Sequence, residues 1–334
     1  MTEMRNIINH LTAHKTLSSV EAQAILSDIA QGKYSEVEMA SFLTVYLMRS
    51  ITVEELSGFR DALLQHCHRV DLGAEPLIDL CGTGGDGKDT FNISTLASFI
   101  TAGAGAKVAK HGNNGVSSAC GSSNILEYFG YQFTNEQDNL RRQIDKANIC
   151  FLHAPLFNPA MKNVAPVRKM LRVKTFFNML GPMVNPAFPQ KQLVGVFSLD
   201  LARLYGYIYQ QTTKDFVIVH SLDGYDEISL TGGFKTITNL SEQLNQPEDL
   251  GLTRVSEASI KGGATVEESA KIFMNIMEGK GTLEQNQVVL TNAAFALKCY
   301  FGHSFDDSYA LAKESLTSGK ALKSFNNLIE VSKK

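Results

Sequence analysis

An apolar run, Leu77 to Cys81, breaks into Gly82-Thr83-Gly84-Gly85-Asp86-Gly87 and is followed by a helix-opening stretch at Asn92-Ile93-Ser94-Thr95. A strand, a glycine turn and a helix start in that order demand a fold that sets a helix N-terminus at the carboxyl end of a strand. Glycines let the backbone take positive φ and turn its N–H groups toward an anion. The unpaired amides and dipole of the first helical turn then add partial positive charge. The stretch matches neither the Walker loop nor the dinucleotide fingerprint. Asp86 would repel a bare phosphate, so the pattern suits a phosphorylated sugar carrying a divalent cation. Taken alone, a glycine-rich stretch of this kind is more often a tight turn joining two core elements.

The surrounding texture supports an α/β fold with a small helical domain in front of it. Over residues 1–72, Ser18-x-x-Glu21, Ser35-x-x-Glu38 and Thr52-x-x-Glu55 each read as a capping box ahead of a helically spaced apolar series. Ile25 with Ile29, and Phe42, Leu43, Tyr46 and Leu47, give more apolar positions than one short bundle needs, which leaves some for a second subunit. Over residues 73–334, short apolar runs alternate with helical stretches: Leu77 to Cys81, Lys107 to Ala109, Ile149 to Leu152, Leu193 to Phe197 and Phe216 to Val219. That alternation predicts a mostly parallel central sheet flanked by helices, with ligands at the carboxyl ends of its strands. A proline-rich passage within 165–188 is expected to return the chain to the helical domain. The long apolar segment Val288 to Tyr300 is expected to be helical.

A chain of 334 residues with 44% hydrophobic residues can bury a large core. Lys+Arg 31 against Asp+Glu 34 gives a formal charge of -3, which supplies no footprint for nucleic acid or an anionic membrane. Cys67, Cys81, Cys120, Cys150 and Cys299 are odd in number and lack Cys-x-x-Cys spacing, arguing against a disulfide framework or a zinc site and fitting a reducing cytoplasm. No secretory leader or membrane-spanning run is expected. Small-molecule partners follow.

Two further clusters carry chemistry. Lys110-His111-Gly112-Asn113 directly follows an apolar run and precedes Val116-Ser117-Ser118-Ala119-Cys120-Gly121-Ser122-Ser123. A lysine at a strand end beside glycine and asparagine suits phosphate and carboxylate groups, whereas His111 alone is more readily a structural histidine. At least two of Ser117, Ser118, Ser122 and Ser123 are expected to cap the next helix. Asp226-Glu227 follows the Phe216 run; adjacent carboxylates at a strand end are oxygen ligands for Mg²⁺, although an isolated pair is more often a solvated turn.

Together these pieces resemble the anthranilate phosphoribosyltransferase family over most of the length. The matching segments are Gly82-Thr83-Gly84-Gly85-Asp86, Asn92-x-Ser94-Thr95, Lys110-His111-Gly112-Asn113, Val116-Ser117-Ser118, Pro159-Ala160-Met161-Lys162 and Val164-Ala165-Pro166-Val167-Arg168. Further matches are Phe177-Asn178-x-Leu180-Gly181-Pro182-x-x-Asn185-Pro186, Asp226-Glu227-Ile228-Ser229, Ile260-Lys261-Gly262-Gly263 and Asn292-Ala293-Ala294.

The resemblance implies that Gly82, Thr83, Gly85, Asp86, Thr90, Asn92, Ser94, Thr95, Lys110 and Ser122 hold 5-phosphoribosyl 1-diphosphate (PRPP). It implies that Gly82, Asn113, Asn158, Arg168, Gly181 and Pro182 form the anthranilate pocket, and that Ser94, Asp226 and Glu227 bear on Mg²⁺, two ions per subunit. No side chain is expected to act as covalent nucleophile or general base. A homodimer through the helical domain is also implied. The chain departs from the family pattern at Asn158, where histidine is usual, and at His153, where phenylalanine is common. Asn114, Ala119, Asn124 and Lys174 stand where arginine, lysine, aspartate and arginine are frequent. A pyrimidine nucleoside phosphorylase shares the Lys-His-Gly-Asn segment, but its loop continues Gly-Gly-Val-Gly-Asp, while here Asp86 follows Gly85 at once. A non-catalytic, nucleic-acid-binding relative of the fold is disfavoured by the charge of -3.

Overall fold

The computed structural model describes residues 3–115 and 120–333. By its internal contacts the chain divides into a unit of Met1–Arg69 with Ala154–Pro186 and a unit of Val70–His153 with Ala187–Lys334.

The first unit is helical, with helices at Met4–Thr12, Ser19–Ala30, Glu36–Met48 and Val53–His66. The last three open on the expected capping boxes: Ser18, Ser35 and Thr52 accept from the amides of Glu21, Glu38 and Glu55, whose carboxylates return to the cap residues' own amides. Each such cap stabilises its helix by about 1 kcal/mol. The second passage of this unit contributes helices Met161–Leu171 and Phe177–Leu180. It is pinned by Phe176, which stacks on Phe59 with ring centroids 4.4 Å apart and meets Phe42 and Tyr46 edge-on. Beside this cluster Glu55 is wholly buried, accepting from the Leu17 amide at 3.0 Å, the Tyr46 hydroxyl at 3.2 Å and the Arg49 guanidinium. Of the expected apolar stripe, Ile25, Ile29, Phe42, Leu43 and Tyr46 are buried and Leu47 faces outward.

The second unit is built on the sheet that the alternation predicts. The five apolar runs form β1 (Ile78–Gly82), β2 (Val108–Gly112), β3 (Ile149–His153), β4 (Lys191–Gly195) and β5 (Asp215–Ser221), all parallel to one another. Two antiparallel strands, β6 (Phe234–Thr238) and β7 (Glu242–Asn245), extend the edge, giving the order β3-β2-β1-β4-β5-β6-β7. Sequence reading finds neither: β7 is polar and exposed, so it lacks the apolar alternation by which strands are recognised. Helix Leu283–Phe301 is buried from Gln287 through Leu297, as the long apolar segment requires. Against the sheet, Phe99 packs edge-on to Phe273 and Phe325. The strand order runs outward in opposite directions from β1 and β4, and the crevice beyond their carboxyl ends is where open α/β sheets take ligands.

Candidate active site

Gly82 and Gly195, the last residues of β1 and β4, are register partners at this switch point. A Cβ on Gly82 would collide with the Asp226 carboxylate, and one on Gly195 with the Asp226 carbonyl. Both strands therefore end in glycine to let the Asp226 segment cross them. Beyond Gly82, the loop turns through positive φ at Gly84, Gly85 and Gly87, at 67°, 74° and 74°. The Thr83 amide donates to the Gly195 carbonyl at 3.0 Å, tying the loop to β4.

The carboxylate pair sits directly on this loop. Asp226 accepts from the Gly84 amide at 2.6 Å. Glu227 accepts from the Ser94 amide at 3.0 Å, in the first turn of helix Ile93–Gly103, and from the Thr90 hydroxyl at 3.1 Å. The amides suited to a phosphate are thus occupied by the chain's own carboxylates. The pair is held from behind by Ser221, whose hydroxyl donates to the Glu227 carbonyl at 2.6 Å. Asn292 bonds both the amide and the carbonyl of Ile228, at 3.1 and 2.9 Å. Thr90 is fixed in turn by a bridge to Lys261, and Gly262 donates to the Asp89 carbonyl at 2.6 Å.

Burial pushes the Asp226 carboxyl up to about 7, with the charge of Asp86 adding to the effect. Burial raises Glu227 well above the carboxylate range, helped by Asp226 and Asp86. Three acidic groups converge where no cation pairs with them among the described residues, and an oxygen-only donor set of this kind fits Mg²⁺. Among the described residues no set of three His, Cys, Asp or Glu side chains could by itself hold an ion. A small cavity lined by Cys81, Ser94, Gly195, Asp226, Glu227 and Asn292 lies here.

The remaining donor-side residues fall into two groups. Asp86 accepts from the Lys88 amide at 3.0 Å within the loop, and the Thr83 hydroxyl is buried with no partner among the described residues. Lys110, by contrast, is only 2% exposed and donates to the Leu80 carbonyl of β1 at 2.7 Å. Burial lowers its pKa, while Asp79, Cys81 and Glu227 oppose that. Asn92 reaches away to the Cys120 carbonyl at 3.0 Å, and Thr95 is buried in the helix.

Asn113 follows β2, and its carbonyl accepts from the Ser122 hydroxyl at 3.2 Å and the Ser123 amide at 3.1 Å. Neither serine caps helix Ser122–Tyr128; the Asn124 side chain does so, accepting from the Gly121 amide at 3.0 Å. Residues 116–119, including Ser117 and Ser118, lie outside the described residues. His111 is buried, its amide donating to Asp79 at 3.2 Å.

The other acceptor candidates belong to the helical unit. The Arg168 guanidinium donates to Asn178 at 3.2 Å and lies 5.5 Å from the centroid of the Phe177 ring. Burial alone pushes its pKa down, and among the described residues no carboxylate pairs with it. The Asn158 side-chain oxygen is buried without a partner among the described residues. Gly181 and Pro182 open a 3₁₀ turn, Gly181–Met183, in which Pro182 is buried. Gly195, Ser221 and the role of Asn292 escape sequence reading. A glycine inside the apolar run Leu193 to Phe197 was the signal available for the first.

Fold and site define a glycosyltransferase of two parts. Residues 74–322 match the family model for the glycosyl transferase family a/b domain, and residues 5–67 that for its helical bundle domain. Within that class the chain belongs to the anthranilate phosphoribosyltransferase family. It is 60% identical to the anthranilate phosphoribosyltransferase of Flavobacterium johnsoniae over 98% of this chain and 100% of that one. The crystal structure of anthranilate phosphoribosyltransferase from Thermus thermophilus is similar with a TM-score of 0.92 at 30% identity, covering 98% of this chain and 99% of that one. The Saccharomyces cerevisiae enzyme in complex with PRPP and Mg matches with a TM-score of 0.92 at 27% identity, covering 99% of both chains.

Proposed function

We infer that this chain transfers the 5-phosphoribosyl group from PRPP to the amino group of anthranilate, releasing pyrophosphate and forming N-(5-phosphoribosyl)anthranilate in tryptophan biosynthesis. The observation that carries the reading is the Asp226-Glu227 pair, held against the Gly84 and Ser94 amides at the sheet's switch point. A diphosphate needs those amides, and a cation needs those carboxylates. Asp226, Glu227 and Ser94 are assigned to Mg²⁺, two ions per subunit, which when bound neutralise charge on the departing pyrophosphate.

The loop residues Gly82, Thr83 and Gly85 and the start of helix Ile93–Gly103 are assigned to the diphosphate, with Asp86, Thr90, Asn92, Thr95 and Ser122 framing the sugar. Lys110 places a buried positive charge under the loop, stabilising the leaving group as the bond to the anomeric carbon stretches. Arg168 takes the anthranilate carboxylate with its two-pronged fork, which meets no carboxylate among the described residues. The buried Asn158 oxygen suits an amine N–H; Asn113 and Gly82 of the α/β unit, and Gly181 and Pro182 of the helical unit, are likewise assigned to the acceptor. The amine is neutral near pH 7 and attacks without a general base; orientation is the residues' contribution.

A homodimer through the helical unit is supported by Val20, Val37 and Met48, which are 76%, 75% and 83% exposed on two of its helices. A cytoplasmic location is supported by the unpaired cysteines. Loss of anthranilate fluorescence that requires both PRPP and Mg²⁺ is the expected outcome of the direct assay. Phosphate-dependent nucleoside cleavage without anthranilate consumption would replace this reading.

A further inference from the structure

We propose that His153 is a positioning residue for the acceptor, fixing Asn113 through Ser123. The proposal rests on the reading that Asn113 orients anthranilate. His153 ends β3 as the register partner of Gly112, the residue before Asn113. Its Nδ1 lies 2.9 Å from the Ser123 hydroxyl. Ser123 is wholly buried, and its amide donates to the Asn113 carbonyl at 3.1 Å. Imidazole, hydroxyl, amide and carbonyl thus form one chain from the end of β3 to the end of β2.

Several features fit the imidazole for this task. Its ring stacks on Phe133 with centroids 4.4 Å apart and planes 25° from parallel, which fixes the plane of the ring. Burial pushes its pKa down, against the opposing charge of Glu127, so near neutral pH the ring is uncharged and Nδ1 can accept the hydroxyl proton of Ser123. A buried hydroxyl left without an acceptor is costly, so the bond selects one placement of Ser123. Ser122, the neighbouring residue, contributes a second bond to the same Asn113 carbonyl. The phenylalanine common at position 153 in the resembling family could keep the stack but could not accept a hydrogen bond. The link therefore belongs to chains that carry histidine here.

The test is steady-state kinetics on His153→Phe, Ser123→Ala, the double variant and His153→Asn, with thermal melts of each. One hydrogen bond's worth of positioning predicts that His153→Phe and Ser123→Ala each raise KM for anthranilate about three- to tenfold. The KM for PRPP and kcat should move less than about twofold, because only orientation of the acceptor is disturbed. Since both substitutions cut the same bond, the double variant should match the worse single one rather than their product. His153→Asn, which offers an oxygen near the place of Nδ1, should recover most of the wild-type KM. An unchanged anthranilate KM in His153→Phe, or equal rises in both KM values, overturns the proposal. If Ser123→Ala does not fold, His153→Phe against His153→Asn decides the matter. A wild-type chain that consumes no anthranilate would instead defeat the functional reading beneath it.

Discussion

Two buried acidic sites show opposite solutions to the same electrostatic problem. In the helical unit, burial would raise Glu55, but the Arg49 fork and the amides of Thr52 and Leu17 outweigh it and hold the carboxyl below its ordinary range. In the α/β unit, Asp226 is buried and Glu227 half-buried with Asp86 nearby, and both are raised. The first site is complete within its own chain; the second is short of positive charge. The cations show the same contrast, because Arg49 pairs with Glu55 while Arg168 has no carboxylate among the described residues. What a folded chain leaves uncompensated marks where it expects a ligand.

The strongest way to break this contrast is to neutralise each acidic site. Asp226→Asn with Glu227→Gln is expected to lower turnover by about a hundred- to a thousandfold, the scale of losing a transition-state charge stabiliser. Its thermal midpoint should not fall, since the change removes repulsion; near-native activity at limiting Mg²⁺ would refute the metal role. Glu55→Gln should do the reverse, costing about 1–3 kcal/mol in chemical denaturation by leaving the half-buried Arg49 without its carboxylate. The kcat of its folded fraction should be unchanged. A smaller effect is expected from Arg168→Lys, which keeps the charge but loses the fork: KM for anthranilate should rise about tenfold and KM for PRPP stay put.

The smallest effect is in pH. Asp226, raised to about 7, adds stability that is present at acid pH and lost as pH rises through that value. Glu55, held low, adds stability that is lost as pH falls through its depressed pKa. Denaturation of the unliganded protein at about pH 6 and about pH 8 should therefore show a loss at the higher pH, abolished in Asp226→Asn. Mg²⁺ should bind more weakly below about pH 7, where protons compete for the same oxygens. No pH difference in either measurement would contradict the unpaired state of this site.

Sequence reading found the frame of both regions because its signals are local. Capping boxes at Ser18, Ser35 and Thr52 and apolar runs for β1 to β5 are set by neighbours within a few residues. It placed the glycine loop and the carboxylate pair, but not their contact. Asp226 meets Gly84 across 142 positions of sequence, and Asn292 meets Ile228 across 64. Lys110 read as a group facing the phosphate, yet its ammonium is buried against Leu80, because strand position alone does not say which way a long side chain folds back. β7 was invisible for want of apolar residues.

Isothermal titration of inorganic pyrophosphate into the wild-type protein, with and without Mg²⁺, examines the cradle itself. Saturable binding with Mg²⁺ that weakens at least about tenfold without it is expected, because the protein's own carboxylates otherwise hold the Gly84 and Ser94 amides. Equal affinity in the absence of the cation would contradict it.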